Sequence, residues 1–127
     1  MSDTPHILVV DDDERITRIV EINLRRAGYR VSLARDGEQA LAAVAAEIPD
    51  LVLLDVTMPR MDGIETLRRL RADPATASLP IVMITARAQD EDVFEAKRSG
   101  ANHYLTKPFG PLELLNVVRE ILGERDT

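Results

Sequence analysis

Three short apolar runs constrain this chain more than anything else in it: Ile7-Leu8-Val9-Val10, Leu51-Val52-Leu53-Leu54 and Ile81-Val82-Met83-Ile84. None alternates with polar residues, so each reads as a strand covered on both faces. Helices crossing over between parallel strands supply that cover. Each run also stops at a polar side chain, at Asp11, Asp55 and Thr85 respectively.

The intervening segments fit that reading. Ile16, Ile19, Val20, Leu24 and Ala27 recur at helical spacing, with Gly28 placed to end the helix. Val31 to Ala34 alternates apolar with small or polar residues, as an edge strand does. Asp36-Gly37 turns the chain, Asp36 being a candidate cap for an alanine-rich helix that turns Leu41 and Val44 inward and stops before Pro49. The loop from Met58 to Gly63 leads to a short third helix with Ile64, Leu67 and Leu70, and Ala72 to Leu79 reads as a loop. Val93, Phe94 and Lys97 mark a fourth helix ending at Gly100, and Tyr104 to Thr106 a second edge strand. Pro111 suits the first turn of a last helix, with Leu112, Leu115, Val118 and Leu122 as its core stripe and Gly123 as its end.

Five strands alternating with five helices predict an α/β, three-layer sandwich around one parallel sheet. Central character for strands one, three and four, and edge character for two and five, are satisfied by the order 2-1-3-4-5, a flavodoxin-like winding. The 127 residues form one domain, with a core of about 6–123 and a short tail over 124–127.

Ligands of such sheets bind beyond the carboxyl ends of the strands, where the strand order reverses. Asp11, Asp12 and Asp55 fall at that point, with Thr85 and Lys107 at the ends of the next two strands. Three adjacent carboxylates repel unless a proton or cation joins them. An all-oxygen set without histidine or cysteine suits a hard ion, Mg²⁺ before Ca²⁺. Asp11 to Glu14 would alternatively serve only to cap the first helix, since acids favour a helix N-terminus. Lys107 precedes Pro108, which holds its backbone extended or cis, and its ammonium can bridge Asp55 and an incoming phosphoryl group. Thr85 offers that group a hydroxyl. Together these parts fit phosphoryl transfer with Asp55 as nucleophile, Lys107 neutralising charge, and Mg²⁺ held by Asp11, Asp12, Asp55 and the carbonyl of Thr57.

Composition excludes other classes. The formal net charge is −6, from 16 basic and 22 acidic residues, and aromatics are 3%, which suits neither gripping phosphate backbones nor stacking bases. Direct nucleic-acid binding is therefore not expected. Without cysteine, thiolate metal sites and cysteine nucleophiles are excluded. The longest apolar stretch, Ala40 to Ala46, is too short to cross a bilayer, and the acidic Asp3 does not suit a signal sequence. A cytoplasmic location without membrane contact is the expectation.

The pieces I-L-V-V-D-D, L-L-D-V-T-M-P-R-M-D-G, I-V-M-I-T-A and G-A-N-H-Y-L-T-K-P-F, in this order and spacing, resemble the receiver domain of two-component response regulators over roughly Ile7 to Leu122. The resemblance implies that Asp55 is the phosphoacceptor, Asp11 and Asp12 the metal pair, Lys107 the lysine before a cis Pro108, and Thr85 with Tyr104 a switch pair. It implies a phosphoryl donor, a histidine on a sensor kinase or phosphotransfer protein. It also implies an output through the face of the fourth helix, fifth strand and last helix, toward a protein partner or an output domain. Homodimers of the family use that same face. Asn102 and His103 stand where many relatives carry an acidic pair for inter-subunit salt bridges, which argues against that dimer mode. His103 itself reads as an exposed strand residue. Thr57 and Arg87 occupy positions that tune water access to the phosphate in the family. Nothing after Gly123 resembles a DNA-binding or enzyme domain, so the sequence reads as a stand-alone regulator or a piece of a longer one.

Three other readings compete. A haloacid-dehalogenase-type phosphatase would use Asp11 and Asp13 with Thr85 and Lys107, but would lack its later acidic pair and leave Asp55 idle. A flavin-binding module of the same fold would want a hydroxyl- and glycine-rich loop after the first strand, where Asp11 to Glu14 stands. A degenerate receiver working by contact alone is opposed by the full set of Asp11, Asp12, Asp55, Thr85 and Lys107.

Overall fold

The computed structural model describes residues 4–56, 63–85 and 100–123. Its five strands are β1 (His6–Val10), β2 (Arg30–Ala34), β3 (Leu51–Asp55), β4 (Ile81–Thr85) and β5 (His103–Thr106). All pair in parallel, in the expected order β2-β1-β3-β4-β5, with the two strands of edge character at the edges. The described helices are α1 (Glu14–Arg26), α2 (Gly37–Ala46), α3 (Gly63–Ala72) and α4 (Pro111–Leu122). Four helices, not five, thus stand among the described residues; the one expected around Val93, Phe94 and Lys97 lies outside them, as does the expected tail 124–127.

The unbroken apolar runs are explained by two cores, one on each side of the sheet. Ile7, Val9, Leu51, Leu53, Val82 and Ile84 face one way and pack on Val20 and Leu24 of α1 and Leu114, Val117 and Val118 of α4. Leu8, Val10, Val52, Leu54, Ile81 and Met83 face the other way, onto Ala40 and Val44 of α2 and Leu67 and Leu70 of α3. Strict alternation of side chains along a strand produces this split, and both halves are apolar because both faces are covered.

Local signals set the helix ends. Asp13 caps α1, its carboxylate accepting the Arg15 N–H at 3.0 Å, and Asp36 caps α2 by accepting the Gln39 N–H at 2.8 Å. Gly28 follows α1 at φ 98, a left-handed turn that disfavours a side chain. Two expected core stripes are corrected. Ile19 is 57% exposed and Leu112 is 69% exposed, whereas Thr17, Leu114 and Val117 are buried in their helices. Thr17 tolerates burial because its hydroxyl donates to the Glu14 carbonyl at 3.1 Å. No helix among the described residues is long and apolar enough to cross a membrane.

Candidate functional site

The polar ends of β1 and β3 lie side by side because Val10 pairs with Leu54, so the next residues, Asp11 and Asp55, stand on one rim. Both are buried, Asp11 at 2% and Asp55 at 4% exposure, while Asp12 beside them is exposed. Carboxylate oxygens of Asp11, Asp12 and Asp55 lie within 4.8 Å of one another. From 96 residues away in sequence, Lys107 leaves the end of β5 and donates from Nζ to Asp11 Oδ2 at 2.9 Å. The same Nζ stands 3.5 Å from Asp55 Oδ1. The Lys107–Pro108 peptide is cis.

The electrostatics follow from burial and crowding. Burial pushes the Asp55 carboxyl up to about 7; the Asp11 and Asp12 charges push the same way, and Lys107 pulls against them. Burial alone would lower the Lys107 amine, but its hydrogen bond to Asp11 and the Asp55 charge outweigh that and hold it above its ordinary value. Lys107 is therefore a cation sandwiched between two buried carboxylates, one of which ionises only near neutral pH. Such a set is poised for an added cation. Three oxygen donors at this spacing, without nitrogen or sulfur, fit a hard divalent ion.

Backbone packing fixes the Asp55 end of β3. The Val56 N–H donates to the Ile84 carbonyl at 2.8 Å, and the Gly63 N–H donates to the Val56 carbonyl at 2.9 Å. A Cβ on Gly63 would run into the carbonyl oxygen of Asp55 and sit 2.8 Å from Val56 Cα. Only glycine lets α3 start this close to the strand end. The Asp62-Gly63 pair signals a turn in the sequence, but not this close approach.

The remaining expected site residues separate clearly. Thr85 ends β4, paired with Thr106 of β5. Thr57 and Arg87 lie outside the described residues. Tyr104 is half-buried on β5 and packs against the core containing Leu8 and Met83, its ring 5.9 Å from that of His103. His103 is half-buried rather than exposed, and its Nδ1 accepts the Tyr104 N–H at 2.8 Å. Asp13, needed by the phosphatase alternative, serves as the α1 cap instead, and that alternative finds no support. Sequence reasoning missed Arg71, which donates to the carbonyls of Gly100 and Thr76 and to Asn102 Oδ1. An arginine in the last turn of a helix gives no such signal by itself.

Comparison with known proteins places this geometry. The sequence profile described as "Response regulator receiver domain" matches residues 7–119. The chain is 44% identical over 122 residues to the DNA-binding dual master transcriptional regulator RpaA of Synechocystis, covering 96% of this chain and 51% of that protein. It is 45% identical over 116 residues to the alkaline phosphatase synthesis transcriptional regulatory protein PhoP of Bacillus subtilis, covering 91% and 48%. The chain thus spans about half the length of these curated relatives. Among solved structures, the chemotaxis response regulator CheY4 of Vibrio cholerae superposes with a TM-score of 0.89 at 36% identity, over 93% of this chain and 98% of that one. The receiver domain of sensor histidine kinase PA1611 from Pseudomonas aeruginosa PAO1, solved with magnesium coordinated in its active-site cleft, also gives 0.89, at 34% identity over 95% and 99%.

Proposed function

The chain belongs to the response-regulator receiver domain family, and on that premise we propose that Asp55 is its phosphoacceptor and that phosphorylation there switches its contacts with an output. The observation that carries the assignment is the meeting of Asp55 with the Asp11–Asp12 pair and the Lys107 ammonium on one sheet edge. In this reading Asp55 attacks the phosphorus of a phosphohistidine on a sensor histidine kinase or phosphotransfer protein. The O–P bond forms as the P–N bond breaks, and the imidazole leaves with the electron pair and takes up a proton. Lys107, already within reach of Asp55, offsets charge on the transferred group, and the Thr85 hydroxyl donates to one of its oxygens. Asp11, Asp12, Asp55 and the carbonyl of Thr57 would hold Mg²⁺. When bound, the ion supplies charge neutralisation for the carboxylates and the phosphoryl oxygens.

The product is a new dianion at a site packed against β4 and β5. Thr85 moving toward it and Tyr104 turning inward would alter the face of β5, α4 and the segment between β4 and β5. A protein partner or an output domain would read that face, and a homodimer through it would have to form without the acidic pair that Asn102 and His103 replace. This domain would act in the cytoplasm without itself contacting nucleic acid or membrane, its 22 acidic against 16 basic residues being unsuited to a phosphate backbone.

Phosphotransfer profiling against the host's sensor kinases tests the assignment. Mg²⁺-dependent label is expected on the wild type and not on Asp55→Asn. Label retained by the variant would move the acceptor elsewhere.

A further inference from the structure

We propose that Asn102 and Arg71 form a register lock at the foot of β4 and β5 that positions Lys107 at the opposite end of the sheet; the inference rests on the function proposed above. Asn102 grips Ile81, the first residue of β4, twice. Its backbone N–H donates to the Ile81 carbonyl at 2.8 Å, and its Oδ1 accepts the Ile81 N–H at 2.8 Å. The side chain thereby supplies an acceptor for a buried N–H at the point where the β4–β5 ladder begins.

Arg71, in the last turn of α3, closes the lock from the other side. Its Nη2 donates to the same Asn102 Oδ1 at 2.9 Å, its Nε to the Gly100 carbonyl at 3.0 Å, and its Nη1 to the Thr76 carbonyl at 3.2 Å. Gly100 has φ +101, and a Cβ there would lie 3.1 Å from Arg71 Nε, so the chain entering β5 passes directly beneath the guanidinium. One forked side chain thus joins α3, the loop after it and the approach to β5.

The need for such a lock follows from the shape of β5. It has four residues, sits at the sheet edge and is paired with β4 alone. A strand that short resists slippage weakly, and a slip of one residue turns each side chain to the other face. Lys107 lies five positions beyond Asn102, roughly 16 Å at about 3.3 Å per residue. Its contacts with Asp11 and Asp55 are 2.9 and 3.5 Å long, so axial play in β5 transmits directly into the site. Asn102 and Arg71 are positioning residues on this view: they touch no reacting atom.

The test compares Asn102→Ala, Asn102→Asp and Arg71→Lys with the full wild-type chain. Two readouts are used: the rate of Mg²⁺-dependent labelling by phosphoramidate, and the ¹⁵N-detected NMR signal of the Lys107 ammonium, which reports its pairing with Asp11. Asn102→Ala is expected to label at least about tenfold more slowly and to shift the Lys107 signal. Its Mg²⁺ affinity is expected to be no weaker, because no metal ligand sits on β5. Asn102→Asp keeps an acceptor oxygen for both partners and is expected to restore rate and signal to near wild type. A general loss of structure would instead weaken Mg²⁺ binding and would not be rescued by aspartate. Arg71→Lys keeps the charge but loses the fork; it is expected to shift the Lys107 signal and slow labelling, and carries the same test if Asn102→Ala does not fold. Wild-type rate and an unmoved Lys107 signal in a folded Asn102→Ala or Arg71→Lys would overturn the proposal, as would an aspartate variant no better than alanine. Failure of the wild type to take label would sink the functional reading alone, and the lock would still be judged by the Lys107 signal.

Discussion

Replacing Asp55 with asparagine should stabilise the metal-free protein, by an amount that depends on pH. The Asp55 carboxyl rises from 3.8 to about 7 on folding, chiefly because it is buried and faces Asp11. An acid whose folded-state value lies above its unfolded one favours folding when protonated. That contribution is complete below about pH 4 and is lost as pH rises toward 7. The shift corresponds to about 4 kcal/mol by pH 8. The asparagine side chain has nearly the same shape and no charge, so the variant escapes this loss, while Lys107 keeps its 2.9 Å partner Asp11. Urea unfolding of both proteins with chelator present, from pH 4 to pH 9, measures the difference. The variant should match the wild type within about 1 kcal/mol at pH 4 and exceed it by several kcal/mol at pH 8. Added Mg²⁺ should narrow the gap at pH 8 by stabilising the wild type. A pH-independent gap, or a wild type more stable at pH 8, would refute the claim that Asp55 is a strained carboxylate awaiting a cation.

Four further substitutions have expected outcomes. Lys107→Met should slow Mg²⁺-dependent labelling by about 100-fold while leaving Mg²⁺ affinity unchanged or tighter, since a cation competing for Asp11 and Asp55 is removed; radiolabel kinetics and metal titration check both halves. Gly63→Ala drives a Cβ into the Asp55 carbonyl, so calorimetry should show a loss of about 1 to 3 kcal/mol, accompanied by slower labelling. Asp13→Ala should lower Tm slightly through loss of the α1 cap and leave labelling intact, whereas Asp12→Ala should raise the Mg²⁺ concentration that labelling requires.

The sheet was legible because the inner run of a strand buried on both faces must be apolar, and Ile7 to Val10, Leu51 to Leu54 and Ile81 to Ile84 obey that rule. Asp36 and Gly28 were legible because caps and left-handed turns demand particular residues. Helix phase was harder. Leu112, Leu114 and Leu115 are all apolar, and which of them faces the sheet depends on how α4 docks, a tertiary matter. Thr17 taking the inward place assigned to Ile19 has the same origin. Asp11, Asp55 and Lys107 were found because strand ends converge on one rim, a rule of topology independent of local sequence. Nothing local distinguishes Asp12, beside the carboxylates, from Asp13, which caps the helix. The link between Arg71 and Asn102 was invisible because its partners are 31 residues apart and each resembles an ordinary surface residue.

The site assignment is tested most directly by mapping the modified residue. The wild-type chain is incubated with acetyl phosphate and Mg²⁺, then treated with borohydride, which reduces an aspartyl phosphate to homoserine, and its peptides are sequenced by mass spectrometry. Homoserine at position 55, absent when Mg²⁺ is chelated, is the expected result. Conversion at another aspartate, or the same yield without the metal, would contradict it.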